Sequence, residues 1–114
     1  MATNQTAPDQ DPADEAWIRS ADGDTAVRIR NLTRHLERGG KVMDARMHED
    51  EQGHFSIFIR LDDRPGEIRV NQYREDVAKT WVDANLAIAT LRDEFAYFGG
   101  IMLTTDRRAV AKAG

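Results

Sequence analysis

Inward and outward positions alternate on either side of a turn between His54 and Tyr73, and this alternation is the strongest structural signal in the chain. Phe55, Ile57, Ile59 and Leu61 alternate with Ser56, Phe58 and Arg60. After Asp63-Arg64-Pro65-Gly66, Ile68 and Val70 alternate with Arg69, Asn71 and Tyr73. A period of two around a Pro-Gly turn predicts a hairpin with one buried face. Lys41 to His48 alternates as well, with Met43, Ala45 and Met47 inward and Val42, Asp44, Arg46 and His48 outward. The three runs together predict an antiparallel β-meander.

Helical spacing flanks the meander. Asp11-Pro12, followed by Asp14 and Glu15, predicts a short helix to about Ala21, pinned by Trp17 and Ile18. Asp24 then caps a second helix over about 25–38, with Ile29, Leu32 and Leu36 as its buried stripe and Gly39 at the C′ position. Glu75-Asp76 opens a long helix over about 75–98, whose stripe is Val77, Trp81, Ala84, Ile88, Leu91, Phe95 and Phe98. Gly99-Gly100 stops it, and Ile101 to Thr105 reads as a last strand. The expected fold is α+β, in the order α-α-β-β-β-α-β. It has an antiparallel three- to four-stranded sheet, packed on one face by the long helix, with two shorter N-terminal helices. Residues 1–10 read as a disordered acidic tail, 11–106 as a single domain and 107–114 as a flexible tail.

Keeping the apolar sets together pairs Leu61 with Ile68, Ile59 with Val70 and Ile57 with Gln72. Asn71 then faces Phe58, Arg69 faces Arg60 and Tyr73 faces Ser56 on the other side of the sheet. An aromatic residue among arginines has the composition of a binding surface. Phe58, Arg60, Arg69 and Tyr73 are therefore one candidate partner-binding set, and the alternative is that the Trp17 helix covers them. The second candidate is a basic ridge on the second helix, Arg30, Arg34 and Arg38, spaced by four so that all three share one face. A solvated helix back is the plain alternative to it.

Composition narrows the function classes. The chain has 114 residues, a net charge of -4 and no cysteine, which rules out disulfides, thiolate zinc sites and thiol catalysis. Its charge is uneven. Residues 1–24 hold six acids against Arg19, whereas residues 25–41 hold Arg28, Arg30, Arg34, Arg38 and Lys41 against Glu37. We find no signal peptide and no apolar run long enough to span a membrane, and we expect a soluble, cytoplasmic protein.

Candidate chemistry is sparse. His48 and His54 fall opposite each other if Met47 pairs with Phe55, and with Glu49, Asp50 or Glu51 they offer a metal donor set at a hairpin tip. No third ligand sits on a rigid element there. Ser56 has His54 and Asp44 as neighbours but no glycine-rich elbow and no oxyanion site. Gly39-Gly40-Lys41 lacks the other residues of a phosphate loop. We expect no catalytic residue, no metal centre and no cofactor.

Two resemblances concern element order. The run from the Ile29 helix through Glu75 has the α-β-β-β-α order of double-stranded-RNA-binding domains. That family's lysine-rich KKxAK motif corresponds here to Glu75-Asp76-Val77-Ala78-Lys79, with acids in place of the leading lysines, and its Gly-Pro-x-His loop is reduced to Gly53-His54. The order α-β-β-β-α-β is also similar to the first part of the small acidic secretion-chaperone fold, whose members bind partner proteins, often as dimers. Asp83-Ala84-Asn85-Leu86 and Gly99-Gly100-Ile101-Met102-Leu103 carry that likeness. The expected function is a small non-enzymatic accessory or regulatory domain that binds another protein. Nucleic-acid binding is the alternative, and a small enzyme or metal protein at the His48/His54 tip is the distant one. Self-association through Ile101–Thr105, or through Val82, Leu86 and Ala89, is a further expectation.

Overall fold

The computed structural model describes Ile18 and residues 25–108. These form β1 (Ala26–Arg28), α1 (Ile29–Glu37), β2 (Val42–Glu49), β3 (Phe55–Leu61), β4 (Ile68–Asn71), α2 (Ala84–Ala89, continued by a π-helical turn Thr90–Glu94) and β5 (Ile101–Thr105). The five strands make one sheet in the order β1-β4-β3-β2-β5. Apart from Ile18, the predicted helix over residues 11–21 lies outside the described residues, as do the tails over 1–10 and 109–114.

The predicted antiparallel sheet is overturned. The meander β2-β3-β4 is antiparallel, but both flanking strands run parallel to their neighbours, β1 to β4 and β5 to β2. The second helix is also shorter than its predicted 25–38. Val27 pairs with Val70 and enters the core, so Ala26–Arg28 becomes a strand and the helix starts at Ile29. Its stripe is as expected, with Ile29 and Leu32 buried and Leu36 packed against the core. Its C-terminus also ends as expected. Gly39 takes φ 103, its N–H donates to the Leu36 carbonyl and that of Gly40 to the His35 carbonyl, which together form a Schellman cap. A Cβ at Gly40 would collide with the His35 ring, so any side chain there requires that ring to move.

The long helix over 75–98 does not form. Residues 75–83 run across the sheet instead. Gln72 N–H donates to the Val77 carbonyl at 2.8 Å and Lys79 N–H to Val70 at 3.1 Å, while Phe55 and Trp81 exchange both main-chain bonds at 2.8 Å. Thr80-Trp81-Val82 prefers extended backbone, and the pairing with Phe55 satisfies it. The helix begins only at Asp83, whose carboxylate accepts the Asn85 N–H at 2.7 Å as an N-cap. The π turn then shifts the phase of the stripe. Phe95 N–H reaches the Thr90 carbonyl, and Ala96 takes φ 53. Tyr97 turns into the core and Phe98, which the periodicity places inward, is 74% exposed. Gly99-Gly100 therefore does not stop the helix, which has ended five residues earlier at Glu94. Arg92 secures the descent to β5 by donating to the carbonyls of Tyr97 and Gly99 at 2.9 and 3.0 Å.

Both hairpin registers sit two residues from the predicted ones, Ile59 against Ile68 and Met47 against Ile57. A two-residue slide keeps every side chain on its predicted face. The β2 exception is a bulge between Val42 and Asp44, which turns Val42 inward and leaves Met43 exposed, the reverse of the alternation. The core thus lies on one face of the sheet, where Ile57, Ile59, Ile68 and Val70 meet Leu32 of α1 and Leu91 and Phe95 of the α2 segment. Among the described residues no helix is long and apolar enough to cross a membrane.

Candidate functional site

The alternation that fills the core sends Asp44, Arg46 and His48 of β2, Ser56, Phe58 and Arg60 of β3, Arg69 of β4 and Met102 and Thr104 of β5 to the other face. The registers align them in rows. Arg69 pairs with Phe58, Phe58 with Arg46, and Arg46 with Met102, so one row runs Arg-Phe-Arg-Met across four strands. The observed register replaces the predicted Arg60–Arg69 opposition by Arg69 against Phe58, which removes a like-charge pair.

Arg46 organises this row. Its guanidinium lies 4.3 Å from the centroid of the Phe58 ring, donates to both carboxylate oxygens of Glu67 at 2.8 Å and donates to Thr104 Oγ1 at 2.8 Å. A two-pronged Arg–carboxylate bond fixes orientation as well as charge. The bond to Arg46 holds the Glu67 carboxyl below its ordinary range, with the Arg46 and Arg60 charges adding to the effect. The same bond raises Arg46. Arg46 is thus fully engaged and acts as a strut.

Asp44, Ala45, Arg46, Phe58, Arg60, Glu67 and Met102 line a hollow of about 80 Å³. Small-molecule pockets are several times larger, ~300–1,000 Å³, so this hollow has room for one side chain. At its rim, Arg60 is exposed and Met102 is 64% exposed.

The structure gathers three of the four predicted sheet residues, Phe58, Arg60 and Arg69, on this face. Arg69 donates to Asn71 Oδ1 at 2.9 Å. Tyr73 lies past the end of β4, exposed, beneath Arg74, and its carbonyl accepts the Arg30 N–H at 3.2 Å. Arg30, Arg34 and Arg38 are exposed along α1, as their spacing required, but α1 covers the core face. The ridge and the Phe58 face therefore lie on opposite sides of the sheet and cannot form one surface. Coverage by the Trp17 helix concerns residues outside those described. Ala26 and Asn71, at the β1 end of the outer face, are buried, whereas the β3–β5 end is open.

Arg46 and Glu67 were missing from the sequence-based set. The outward phase of β2 placed Arg46 correctly, but its pairing with Phe58 depends on a register that the sequence did not supply. Met102 was missing because its place beside Arg46 requires the parallel β2–β5 pair.

The remaining candidates are held in local hydrogen-bond networks. His48 pairs with Ser56 rather than His54, and its ring meets Thr104 Oγ1 at 2.7 Å and Asp106 at 3.0 Å. Asp50 accepts the Gln52 and His54 N–H groups at 2.9 Å, and the bond from His54 chiefly lowers its pKa. The tip is a hydrogen-bonded turn in which the two histidines are not opposed. A different trio, His35, Asp62 and Asp63, brings three donor atoms within 4.8 Å of one another. Its members latch the end of α1 to the β3–β4 loop. Asp62 accepts the Lys41 N–H at 3.1 Å, and Asp63 meets His35 at 3.4 Å and Arg64 at 3.3 Å.

Comparison of the chain with protein-family models, with curated proteins and with solved structures finds no match.

Proposed function

We propose that this chain is a non-enzymatic accessory domain that binds another protein on its outer sheet face, through Phe58, Arg60 and Met102. The observation that carries the reading is the Arg46–Phe58–Glu67 strut beside an open hollow of one side chain's volume. A braced, half-buried aromatic ring with an exposed arginine and an exposed methionine at its rim is a preorganised anchor site. The complementary partner is a segment that presents an apolar side chain to the hollow and a carboxylate to Arg60. The arginines of α1 support a second reading, contact with phosphates of a nucleic acid, because all three are exposed on one helix face.

Affinity capture from cell extract with and without nuclease treatment, with the full chain as bait, tests both readings. A protein retained by the full chain and by an Arg34→Glu/Arg38→Glu variant, but lost from Arg60→Glu, supports the sheet-face reading. Retention by Arg60→Glu refutes it. Loss on nuclease treatment or from the Arg34→Glu/Arg38→Glu variant transfers the function to the ridge.

A further inference from the structure

β5 forms one edge of the sheet, and its outer side pairs with no described residue. The hydrogen-bond phase of this edge is fixed. Asp106 N–H donates to the Glu49 carbonyl at 2.8 Å, so in the parallel β2–β5 ladder the even-numbered residues Met102 and Thr104 turn their main-chain groups toward β2. Ile101, Leu103 and Thr105 then direct their N–H and C=O groups outward. Natural edges are guarded by charge, proline or a bulge. This one has none of these, since no residue from Phe95 to Thr105 is charged and none is proline. Large apolar side chains crowd it, with Leu103 59% and Met102 64% exposed, and with exposed Phe98 immediately before the strand.

We infer that β5 pairs antiparallel with β5 of a second copy, across a two-fold axis at Leu103. This register sets Ile101 against Thr105, Met102 against Thr104 and Leu103 against itself, and it is the one that engages every outward main-chain group of the strand. A second copy is the occupant that the edge itself fits: about the two-fold axis each outward N–H and C=O of β5 meets its complement on the identical strand, and although each chain carries a net charge of -4, no charged side chain of the strand meets its equivalent. The product is a continuous ten-stranded sheet with both Phe58 hollows on one outer face. This inference stands on the edge alone and does not depend on the partner-binding reading.

The test is sedimentation equilibrium of the full chain from about 5 to about 500 µM, the range in which mass action reveals a small interface. The expected result is a monomer–dimer equilibrium that Leu103→Lys abolishes and that Val82→Lys, at an exposed position just before α2, leaves intact. Both substituted side chains are exposed, and an unchanged thermal midpoint confirms that each variant folds. The chain has no cysteine, so single-cysteine variants report the register directly. Hydrogen-bonded antiparallel partners have Cα atoms ~5.5 Å apart, within disulfide range, and Leu103→Cys should oxidise to a linked dimer much faster than Val82→Cys. A monomer at every concentration, a dimer that survives Leu103→Lys, or equal oxidation of the two cysteine variants overturns the inference.

Discussion

Replacing Ala96 by glycine separates two descriptions of the same stretch by the sign of one measurement. If helix ran to Phe98, as the apolar spacing suggests, Ala96→Gly would place glycine in a helix interior and cost about 1 kcal/mol. In the structure the helix has ended at Glu94, and Ala96 takes φ 53 with its side chain exposed. Left-handed backbone costs a residue with a Cβ about 1–2 kcal/mol. Glycine removes that cost and returns about 0.4–1 kcal/mol through the greater entropy of the unfolded chain. Ala96 buries nothing that glycine would lose, so the net expectation is a gain of about 0.5–1 kcal/mol. In a domain of this size that raises the thermal midpoint by about 2–8 °C. Urea denaturation followed by Trp fluorescence gives the free energy, and calorimetry gives the midpoint. A variant that is less stable than the parent would refute the π-turn ending and restore the longer helix.

Two further outcomes follow from particular contacts. Gly40→Ala should destabilise by about 1–3 kcal/mol, as over-packing does, because the new Cβ must displace the His35 ring from Asp63; Gly39→Ala strains the left-handed cap instead, and a Gly40→Ala chain as stable as the parent contradicts the His35 position. Stability should hold above about pH 5 and fall on acidification through the carboxylate range below about pH 4.5, because Asp50, Asp63 and Glu67 all have lowered folded-state values. For Asp63 burial acts the other way, and the Arg64 bond with the Arg64 and His35 charges outweighs it. Lowered carboxylates contribute stability that is present above their unfolded values and lost as they are protonated. Glu67→Gln should flatten part of the acid slope measured by urea midpoints, and an unchanged slope would detach Glu67 from Arg46.

The meander was legible because its two faces differ in polarity at every step. Ile57, Ile59, Ile68 and Val70 are all fully buried, and only registers that differ by an even number of residues keep them so. The exact register was not legible, since a slide of two satisfies the same pattern; in the observed one Arg69 meets Phe58 rather than Arg60. The flanking elements failed for a different reason. Val27 fits a helix stripe as well as a strand, and its pairing with Val70, 43 positions away in the chain, settles the choice. The stretch 75–83 carried an apolar stripe by coincidence. Val77 is exposed, and Trp81 is buried through its pairing with Phe55 rather than through a helix face. Asp83-Ala84-Asn85 was the readable start signal, outweighed by the earlier pair Glu75-Asp76.

The same distinction applies to the candidate surface. Phe58 and Arg60 could be read from a single strand, because facing outward is a local property. What makes the face specific is not local. Arg46 reaches Glu67 across the β2–β3–β4 meander and Thr104 across the parallel pair with β5, so three connections of the chain converge on one guanidinium. Exposed ion pairs are individually weak, ~0–1 kcal/mol, and this one does not hold the fold, whose core lies on the opposite face. Its effect is to immobilise the Phe58 ring and keep Arg46 from occupying the hollow. Arg60, also attracted to Glu67 but forming no ion pair with it, is left exposed at the rim. On the proposed binding reading, Arg46 braces the Phe58 ring and Arg60, exposed at the rim, is the charge offered to a partner.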